Sequence, residues 1–226
     1  MKTSNKLLIG LFTFIFLAVV GSVFTLKAQY DKIDKNDPFL GYTRHNLTPF
    51  KYLKLRGYPS GYVQIKSGKS FGIMFRQQQF IQTEIPGLWK IKGDTLVIEN
   101  AGKGPNTLYD NFFNDSPACY VTAPTLSGVT SISSSIKVSD WPGGNFNINL
   151  KDAGILLTRN HFDNLSIKAS SKVYVRIEDR EMIKSGSLTT LGPINLTMNG
   201  EVITRSYGDS MIVLGKRTGK NSFRLP

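Results

Sequence analysis

The chain has 226 residues, of which 40% are hydrophobic and 19% charged, with a mean hydropathy of −0.15. These values exclude a disordered chain and a protein embedded wholly in a membrane, and the length fits one sizeable domain plus a short accessory segment. With 28 basic and 16 acidic residues the formal net charge is +12, which would attract anionic lipids, acidic glycans or nucleic acids.

The first element is an uncharged run of 20 residues from Leu7 to Leu26, preceded by Lys2 and Lys6. As a helix it would extend about 30 Å, the thickness of a bilayer's hydrocarbon core. Because no small-x-small cleavage site follows it, we expect a retained transmembrane anchor, with a cleaved signal segment as the alternative. The preceding lysines predict residues 1–6 as a short cytoplasmic tail, so the rest of the chain is expected in the periplasm or at the cell surface.

A location outside the cytoplasm reduces the number of partner classes that the basic charge allows. Nucleic acid is not expected outside the cytoplasm, whereas the membrane, envelope proteins and glycans remain. The basic residues are scattered, and their densest cluster lies in the tail at Lys216, Arg217, Lys220 and Arg224. The single cysteine, Cys119, excludes a disulfide within the chain, as in many bacterial envelope proteins. The sequence leaves the oligomeric state open.

Residues 27–48 combine mixed charges with turn-forming residues, which predicts a tether between membrane and domain. From residue 49 the chain changes to short runs of alternating apolar residues bounded by glycine or proline. This alternation is typical of β-strands and predicts a β-rich domain over residues 49–226. In its first half the alternating residues are Tyr52, Leu53, Leu55, Val63, Ile65, Phe71, Ile73, Phe75, Leu96, Val97 and Ile98.

Residues 100–118 hold neither a helical nor a strand period and predict a long loop. No segment after residue 49 keeps a helical period over three turns, so the expected fold class is all-β. In the second half the apolar strand centres lie near Ile148, Leu156, Ile167, Val175, Leu188, Ile194, Ile203 and Ile212.

Two all-β architectures fit this spacing. A β-sandwich stacks two antiparallel sheets, whereas a β-helix, or β-solenoid, coils short strands into rungs. Small polar residues beside single apolar ones, as in residues 145–149 (Asn-Phe-Asn-Ile-Asn), suit the narrow rungs of a solenoid because stacked like side chains satisfy one another. Composition alone leaves both architectures open.

A family resemblance lies mainly in the first hundred residues. It includes the opening Met-Lys-Thr-Ser-Asn-Lys-Leu-Leu, the segment Tyr30–Ile33, residues 49–57 and 63–69, and the strand-like Trp89–Ile98. These segments resemble the head GIN domain family of bacterial envelope proteins, an auto-transporter adhesin head family. The resemblance implies a β-helix-like domain with no established enzyme activity and no established catalytic residues, and it favours the solenoid.

Two short motifs belong to known catalytic or phosphate-binding patterns but lack their context. Residues 67–70 (Ser-Gly-Lys-Ser) match the end of a phosphate-binding loop, yet the position of its first glycine holds Val63, so a hairpin turn is expected. Ser134 and Lys137 satisfy Ser-x-x-Lys, but the stretch alternates like a strand, which would separate the two groups by about 10 Å.

Isolated nucleophiles and bases fare no better. Ser210 precedes a methionine as in membrane-anchored signal peptidases, but position 213 is valine rather than the motif's proline. His161 and Asp163 could lie on one face of a strand, a pairing that orients a general base. The sequence contains no motif that identifies a nucleophile to act with His161 and Asp163. Because His45 lies in the predicted tether, structural roles are expected for both histidines.

The carboxylates and tryptophans do not predict a site either. Asp31, Asp34 and Asp37 recur at every third residue, which does not match the alternate positions of a calcium loop. A glycan-cleaving β-helix would need paired acids, and rung spacing could stack only Asp140, Asp152 and Asp163. The aromatic residues, including Trp89 and Trp141, could form a sugar-stacking platform but are expected in the core or at its rim.

The function expected is that of a non-enzymatic, membrane-tethered envelope protein, with a β-helical surface for adhesion or for contact with other envelope components. A carbohydrate- or lipid-binding β-sandwich is the alternative, and a glycan-active β-helix enzyme is a more remote one. No catalytic, cofactor-binding or metal-binding residue is assigned.

Overall fold

A computed structural model describes residues 3–34, 37, 39–57, 61–76, 88–99, 113–178, 183–199, 201–206 and 209–215. For Ser4, and beyond residue 199 for all residues except Ile212, only the backbone is described. The chain divides into two units, residues 1–40 and residues 41–226.

The first unit contains the helix α1 (Thr3–Tyr30), which includes the whole predicted membrane segment 7–26. None of its membrane-length portion is buried against the protein, and by length and composition it can cross a bilayer or act as a signal sequence. The hydroxyls of Thr13, Ser22 and Thr25 donate to the backbone carbonyls four residues earlier, at 2.8–2.9 Å. The polar side chains of this segment are therefore satisfied inside the helix, as a bilayer requires.

The second unit is built from strands, because apolar and polar residues alternate along most of its length. Among the described residues these are β1 (Tyr42–Asn46), β2 (Tyr52–Arg56), β3 (Val63–Ser67), β4 (Gly72–Arg76), β5 (Trp89–Lys92), β6 (Thr95–Glu99), β7 (Cys119–Ala123), β8 (Gly128–Ile132), β9 (Ile136–Ser139), β10 (Asn145–Lys151), β11 (Gly154–Thr158), β12 (Phe162–Ser170), β13 (Val173–Ile177), β14 (Ile183–Leu191), β15 (Ile194–Met198), β16 (Glu201–Ser206) and β17 (Asp209–Gly215).

These strands form two mixed sheets. The nine-stranded sheet has the order β1-β4-β7-β3-β9-β11-β13-β15-β16, and the eight-stranded sheet has the order β17-β14-β12-β10-β8-β2-β6-β5. From β8 to β15 successive strands alternate between the two sheets, and within each sheet they pair in parallel. Antiparallel pairs occur at both ends of each sheet.

The parallel pairing has a regular register. Side-chain hydrogen bonds between neighbouring parallel segments join residues 19 to 21 positions apart, such as Asn145 with Asn164 and Asp163 with Lys184. Equivalent positions of neighbouring strands therefore face the same way, and residues of one type line up across a sheet. This register decides which side chains share a surface.

One apolar core lies between the inner faces of the two sheets. In the eight-stranded sheet the inward position of each strand stacks on the next, as in Val129, Ile148, Ile167 and Leu188, all of which are at most 2% exposed. The nine-stranded sheet contributes aliphatic residues such as Ile155 to the same cluster. Burial of each such side chain contributes roughly 1.5–3 kcal/mol, so the stacked rows hold the sheets together.

Residues with left-handed backbone conformation mark the corners where the chain passes from one sheet to the other. Ser133 (φ 56°), Asp152 (φ 48°) and Ser171 (φ 63°) follow β8, β10 and β12 at equivalent positions. The amides of Ser133 and Asp152 donate to the carbonyls of Lys151 (2.9 Å) and Ser170 (3.4 Å). The hydrogen bonding between neighbouring strands therefore continues around the corner.

The expectation of a mostly β chain with an amino-terminal apolar helix is confirmed. Each predicted strand centre falls in a strand, although β1, β7 and β8 were not predicted. Two mixed sheets over one core are compatible with a sandwich as well as with coiled rungs. Of the predicted loop 100–118, residues 100–112 lie outside the described residues.

The predicted tether differs from the structure at both ends. α1 continues into it as far as Tyr30, and β1 occupies its last part, paired antiparallel with β4. The β-rich unit therefore begins at Gly41 rather than at residue 49. Sequence pattern missed β1 because its residues (Tyr-Thr-Arg-His-Asn) are mostly polar and exposed, so they lack the alternation of a half-buried strand.

A candidate binding face on the eight-stranded sheet

The outer surface of the eight-stranded sheet is broad, polar and exposed. The alternation along β10 produces this surface. Asn145, Asn147, Asn149 and Lys151 are exposed, while the residues between them are buried. We call this surface the open face. Its described side chains are Tyr52, Lys54 and Arg56 of β2, Lys90 and Lys92 of β5, Thr95, the largely covered Val97 and Glu99 of β6, Thr130 and Ile132 of β8, the four residues of β10, Asn164, Ser166, Lys168 and Ser170 of β12, and Ser185, Ser187, Thr189 and Leu191 of β14.

Amides and hydroxyls form a shallow groove across three parallel strands. It has a volume of about 450 Å³ and is lined by Asn145, Asn147, Asn164, Ser166, Ser185 and Ser187, with backbone from Leu165 and Gly186 at its floor. The Asn164 side-chain amide donates to the Asn145 side-chain oxygen at 2.7 Å, which fixes the orientation of both amides. The groove thus offers fixed donors and acceptors suited to hydroxyl-rich ligands.

A second depression of about 250 Å³ lies beside Tyr52, whose side chain is 44% exposed. Tyr52, Gly128 and Asn147 occupy one register position on three neighbouring strands. A Cβ added at Gly128 would lie 2.8 Å from the Asn147 carbonyl oxygen, so only glycine fits there without movement. The missing side chain leaves one side of the Tyr52 ring open.

Basic residues dominate the charge of the open face. Lys54, Arg56, Lys90, Lys92, Lys151 and Lys168 are all partly or fully exposed. Opposing them on this face is Glu99, whose carboxylate accepts a hydrogen bond from Lys90 at 3.0 Å. That hydrogen bond is the main reason why the pKa of Glu99 lies below its usual range. The acid therefore stays ionised and forms an ion pair with Lys90.

The outer surface of the nine-stranded sheet differs from the open face. Tyr62, Leu156 and Tyr174 are at most 8% exposed and pack with Phe113 in a small cluster of their own. Burial raises the pKa of Tyr62 to about 12. Around Leu156 and Tyr174 this surface is therefore closed by its own side chains.

Charged residues at the rim of the nine-stranded sheet pair with one another. Asp140 accepts hydrogen bonds from Arg159 at 2.7 and 3.2 Å and lies 3.4 Å from the ammonium of Lys66. The hydrogen bond from Arg159 holds the pKa of Asp140 below its usual range. Burial lowers the pKa of Lys137 on the same surface. These residues form a structural ion-pair network.

The structure separates the three acids proposed as a glycan-cleaving stack. Asp140 follows β9, Asp152 forms the corner after β10, and Asp163 lies at the start of β12. The remote alternative of a glycan-cleaving enzyme would have needed this stack, and it does not form because like positions recur every 19 to 21 residues, not every 11 or 12. Asp163 instead accepts hydrogen bonds from the Lys184 ammonium (2.7 Å) and the Gly144 amide (2.9 Å).

The two histidines occupy unrelated positions. His45 lies on β1, with its ring 6.2 Å from that of Trp89. His161 is exposed at a corner, and its backbone amide donates to the carbonyl of Trp141 at 2.7 Å. The hydrogen bonds to the Asp163 carboxylate come from Lys184 and the Gly144 amide, rather than from His161.

The serine motifs have structural explanations. Ser134 is 3% exposed and donates its hydroxyl to the carbonyl of Gly57, whereas Lys137 lies on β9. Residues 67–70 connect β3 to β4, but β7 lies between these strands, so the expected hairpin is wrong. Sequence could not show this because β7 follows both strands in the chain. Ser210 lies in β17, and its side chain is outside the described residues, as are the basic tail residues 216–226.

The residues considered for metal binding and the single cysteine have ordinary structural surroundings. The described residues contain no group of three or more His, Cys, Asp or Glu placed to hold a metal ion. Asp37 of the predicted tether accepts a hydrogen bond from the Phe39 amide at 2.9 Å. Cys119 is buried in β7, and burial raises the pKa of its thiol.

The aromatic residues separate into core and surface. Trp141 is 3% exposed and packs 5.3 Å from the ring of Phe146, as the expected core role requires. Tyr42 donates its hydroxyl to the Pro117 carbonyl at 2.5 Å, and Trp89 packs partly buried against the core. Of the described tyrosines after residue 40, Tyr52 alone is exposed.

The open face was not predicted as a site, although part of its signal was present. The alternation of asparagine with apolar residues over 145–149 was interpreted as stacking within rungs, and it equally marks a polar outer surface. The position of Tyr52 beside Gly128 and Asn147 had no sequence signal, because the three residues are far apart in the chain.

Two solved structures are weakly similar to this chain. A "putative lipid binding protein" from Parabacteroides distasonis is 14% identical with a TM-score of 0.39, over 69% of this chain and 72% of that chain. A "putative adhesin" from Bacteroides fragilis is 12% identical with a TM-score of 0.35, over 70% and 92%. No protein-family model matches the chain, and no curated protein matches it. Similarity this weak assigns neither a ligand nor a family, and the head GIN resemblance gains no support from a family model.

Proposed function

We propose that the protein is a non-enzymatic binding protein of the bacterial cell envelope, held at a membrane by α1, that uses the open face for adhesion or for contact with other envelope components. The observation that carries the proposal is the open face itself. It presents asparagine, serine, threonine and lysine side chains in rows fixed by parallel strand pairing. A rigid array of fixed donors and acceptors suits recognition of an extended surface, because little side-chain and backbone freedom is lost on binding.

The proposal includes a β-helical architecture for the β-rich unit, with a β-sandwich as the alternative. Strands β8 to β15 alternate between the sheets and pair in parallel with a separation of 19 to 21 residues. This pattern supports coiled rungs, since the sheets of a typical sandwich are antiparallel. It also agrees with membership of the head GIN domain family, which remains part of the proposal.

The membrane anchor rests on α1. Its exposed apolar surface and internally satisfied hydroxyls suit a bilayer, and the lysines before residue 7 favour a cytoplasmic amino terminus. The β-rich unit would then lie in the periplasm or at the cell surface. No other partner is required for this attachment.

Cysteine labelling of the full chain in cells tests location. Cys119 is the single cysteine and is buried, so the unmodified chain gives a low background with a membrane-impermeant maleimide. We expect the Lys172→Cys variant to label in intact cells and the Lys6→Cys variant to label only after lysis. Labelling of Lys6→Cys alone in intact cells, or release of a soluble chain that lacks residue 6, would contradict the anchor.

A steric test addresses the open face. Asn149→Trp combined with Ser185→Trp covers two exposed positions of the face without a change in charge. The matched control is Thr125→Trp with Pro142→Trp, both exposed and outside the strands. We expect cells that carry the first variant to lose protein-dependent surface attachment while the control keeps it. Equal attachment by both variants would exclude the open face as the binding surface.

A further inference from the structure

We propose that the open face binds an acidic polysaccharide, with Lys54, Lys151 and Lys168 holding its anionic groups and Tyr52 stacking against a sugar ring. This proposal deepens the proposed function and rests on it, because it names the ligand class of the same surface. Three observations lead to it: the sign of the charge, the spacing of the cations and the open ring of Tyr52.

The charge of the open face is strongly one-sided. Lys151 and Lys168 are exposed, lie on the neighbouring strands β10 and β12, and form no ion pair within the described residues. Glu99 is engaged with Lys90 at the far edge of the sheet. The centre of the face is therefore cationic and would attract an anionic partner.

Across the strands of the open face, neutral side chains separate two of the cations. Lys54 and Lys168 occupy one row, with Thr130 and Asn149 between them on the two intervening strands. At about 4.8 Å per strand this places their backbones about 14 Å apart. A small anion cannot bridge such a distance, whereas a chain with neutral units between its charges can.

The side chains between the cations suit neutral sugars. Thr130 and Asn149 offer a hydroxyl and an amide at the positions between Lys54 and Lys168. Both groups donate and accept hydrogen bonds, as sugar hydroxyls do. The row therefore alternates between charge recognition and hydroxyl recognition.

Tyr52 adds an apolar contact at one end of this pattern. Its ring is 44% exposed and borders the depression left by Gly128. The flat ring can stack against the apolar face of a sugar while its hydroxyl remains in water. The nearby Asn147 lines the same depression and can bind the hydroxyls of that sugar.

Two other anionic partners fit the open face less well. A nucleic-acid strand carries a phosphate on every nucleotide, whereas Thr130 and Asn149 separate the cations Lys54 and Lys168 across the face. A membrane surface is bound by helices or loops that insert several apolar side chains, and Leu191 is the exposed large aliphatic residue described on this face. The spacing and the polar fill therefore favour the polysaccharide.

The test measures binding of the purified full chain in detergent micelles to five probes. Hyaluronan serves as the acidic polysaccharide, since it carries one carboxylate in each disaccharide, and carboxyl-reduced hyaluronan is its neutral match. Single-stranded poly-dT represents a nucleic acid, and vesicles with anionic phosphatidylglycerol are compared with neutral vesicles, because α1 can insert into both kinds. We expect salt-sensitive binding to hyaluronan and about tenfold weaker binding to the reduced polymer. Binding to poly-dT should be weaker than to hyaluronan, and anionic and neutral vesicles should bind alike.

Variants of equal net charge locate the site. Lys151→Gln with Lys168→Gln should weaken hyaluronan binding about five- to twentyfold, because two exposed charge contacts are lost. Lys69→Gln with Lys172→Gln removes two exposed cations from turns and should change it less than about twofold. Tyr52→Ala should weaken binding about tenfold and Tyr52→Phe should restore it, because the ring and not the hydroxyl makes the contact.

The outcomes separate this proposal from the proposed function. Equal binding of native and carboxyl-reduced hyaluronan, or tighter binding to poly-dT, would overturn the acidic polysaccharide. So would a clear preference for anionic over neutral vesicles, or equal losses in the two double-lysine variants. If attachment still depended on the open face in the tryptophan variants, the binding role would stand with another ligand. Attachment independent of that face would overturn both.

Discussion

β10 and β11 are neighbours in the chain, yet their outer side chains meet opposite surroundings. In β10 every second residue is exposed, whereas all five residues of β11 are buried. Both strands send aliphatic side chains into the same core, and they differ only in what lies outside. Leu156 of β11 packs with Tyr62 and Tyr174, while Asn149 of β10 remains in solvent. The eight-stranded sheet therefore leaves polar side chains in solvent along β10, whereas the outer surface of β11 is covered by other side chains of the protein.

Truncation of one outward residue on each sheet tests whether the outer surfaces of β10 and β11 differ in packing. Leu156→Ala should lower the free energy of unfolding by about 2–5 kcal/mol, because a buried leucine leaves a cavity. Asn149→Ala, at an exposed outward position, should change it by less than about 0.5 kcal/mol. Urea unfolding followed by tryptophan fluorescence measures both. Similar losses at the two positions would show that the two outer surfaces do not differ in packing.

A substitution at Gly128 tests how closely β8 and β10 pack beneath the open face. Gly128→Ala should cost about 1–3 kcal/mol, because the added methyl meets the Asn147 carbonyl oxygen at 2.8 Å. Ser127→Ala, one residue earlier in the preceding loop, is the control and should be nearly neutral. The same urea titration separates them. A Gly128→Ala variant as stable as the control would mean that β8 and β10 are less closely packed.

Substitution of Asn160 compares the stability contribution of a buried asparagine at a corner with that of an exposed asparagine on the open face. Its side-chain oxygen accepts from the Trp141 amide at 3.0 Å and its nitrogen donates to the Val138 carbonyl at 2.8 Å. Asn160→Ala leaves both groups unsatisfied and should cost about 1–3 kcal/mol. Asn149→Ala again serves as the neutral reference. Thermal unfolding with no difference between the two asparagines would contradict a structural role for the corner.

The smallest expected effect concerns the rim of the nine-stranded sheet. The pKa of Asp140 is lowered, chiefly by the hydrogen bond from Arg159, so its contribution to stability is present above the unfolded-state pKa near 3.9 and is lost as pH falls through the folded-state pKa. The pair is partly exposed and should contribute at most about 1 kcal/mol.

Unfolding of wild type and Asp140→Asn at pH 7 and pH 3 measures this contribution. The wild type should lose slightly more stability on acidification than the variant does. Arg159→Gln should reduce the pH dependence in the same way, and the double variant should add little. Unchanged pH dependence in Asp140→Asn would show that the pair does not stabilise the fold.

Sequence pattern predicted the elements of this protein well and its candidate site poorly. The strand centres at Ile148 and Ile167 were recovered because burial of one strand face imposes alternation on a few consecutive residues. β1 was missed because its exposed polar residues carry no such alternation. Whether Asp140, Asp152 and Asp163 could stack was not decidable from sequence, because it depends on the separation of 19 to 21 residues between like positions, which no local pattern contains.

Sequence by itself therefore determined the apolar segment that can cross a membrane and the β-rich nature of the rest. Both follow from the partition of side chains between water and apolar surroundings, which is a local property. Only the tertiary structure decided which strands pair, and with it the row that joins Tyr52, Gly128 and Asn147. Pairing depends on contacts between residues distant in the chain, so the open face exists only once the sheets have formed.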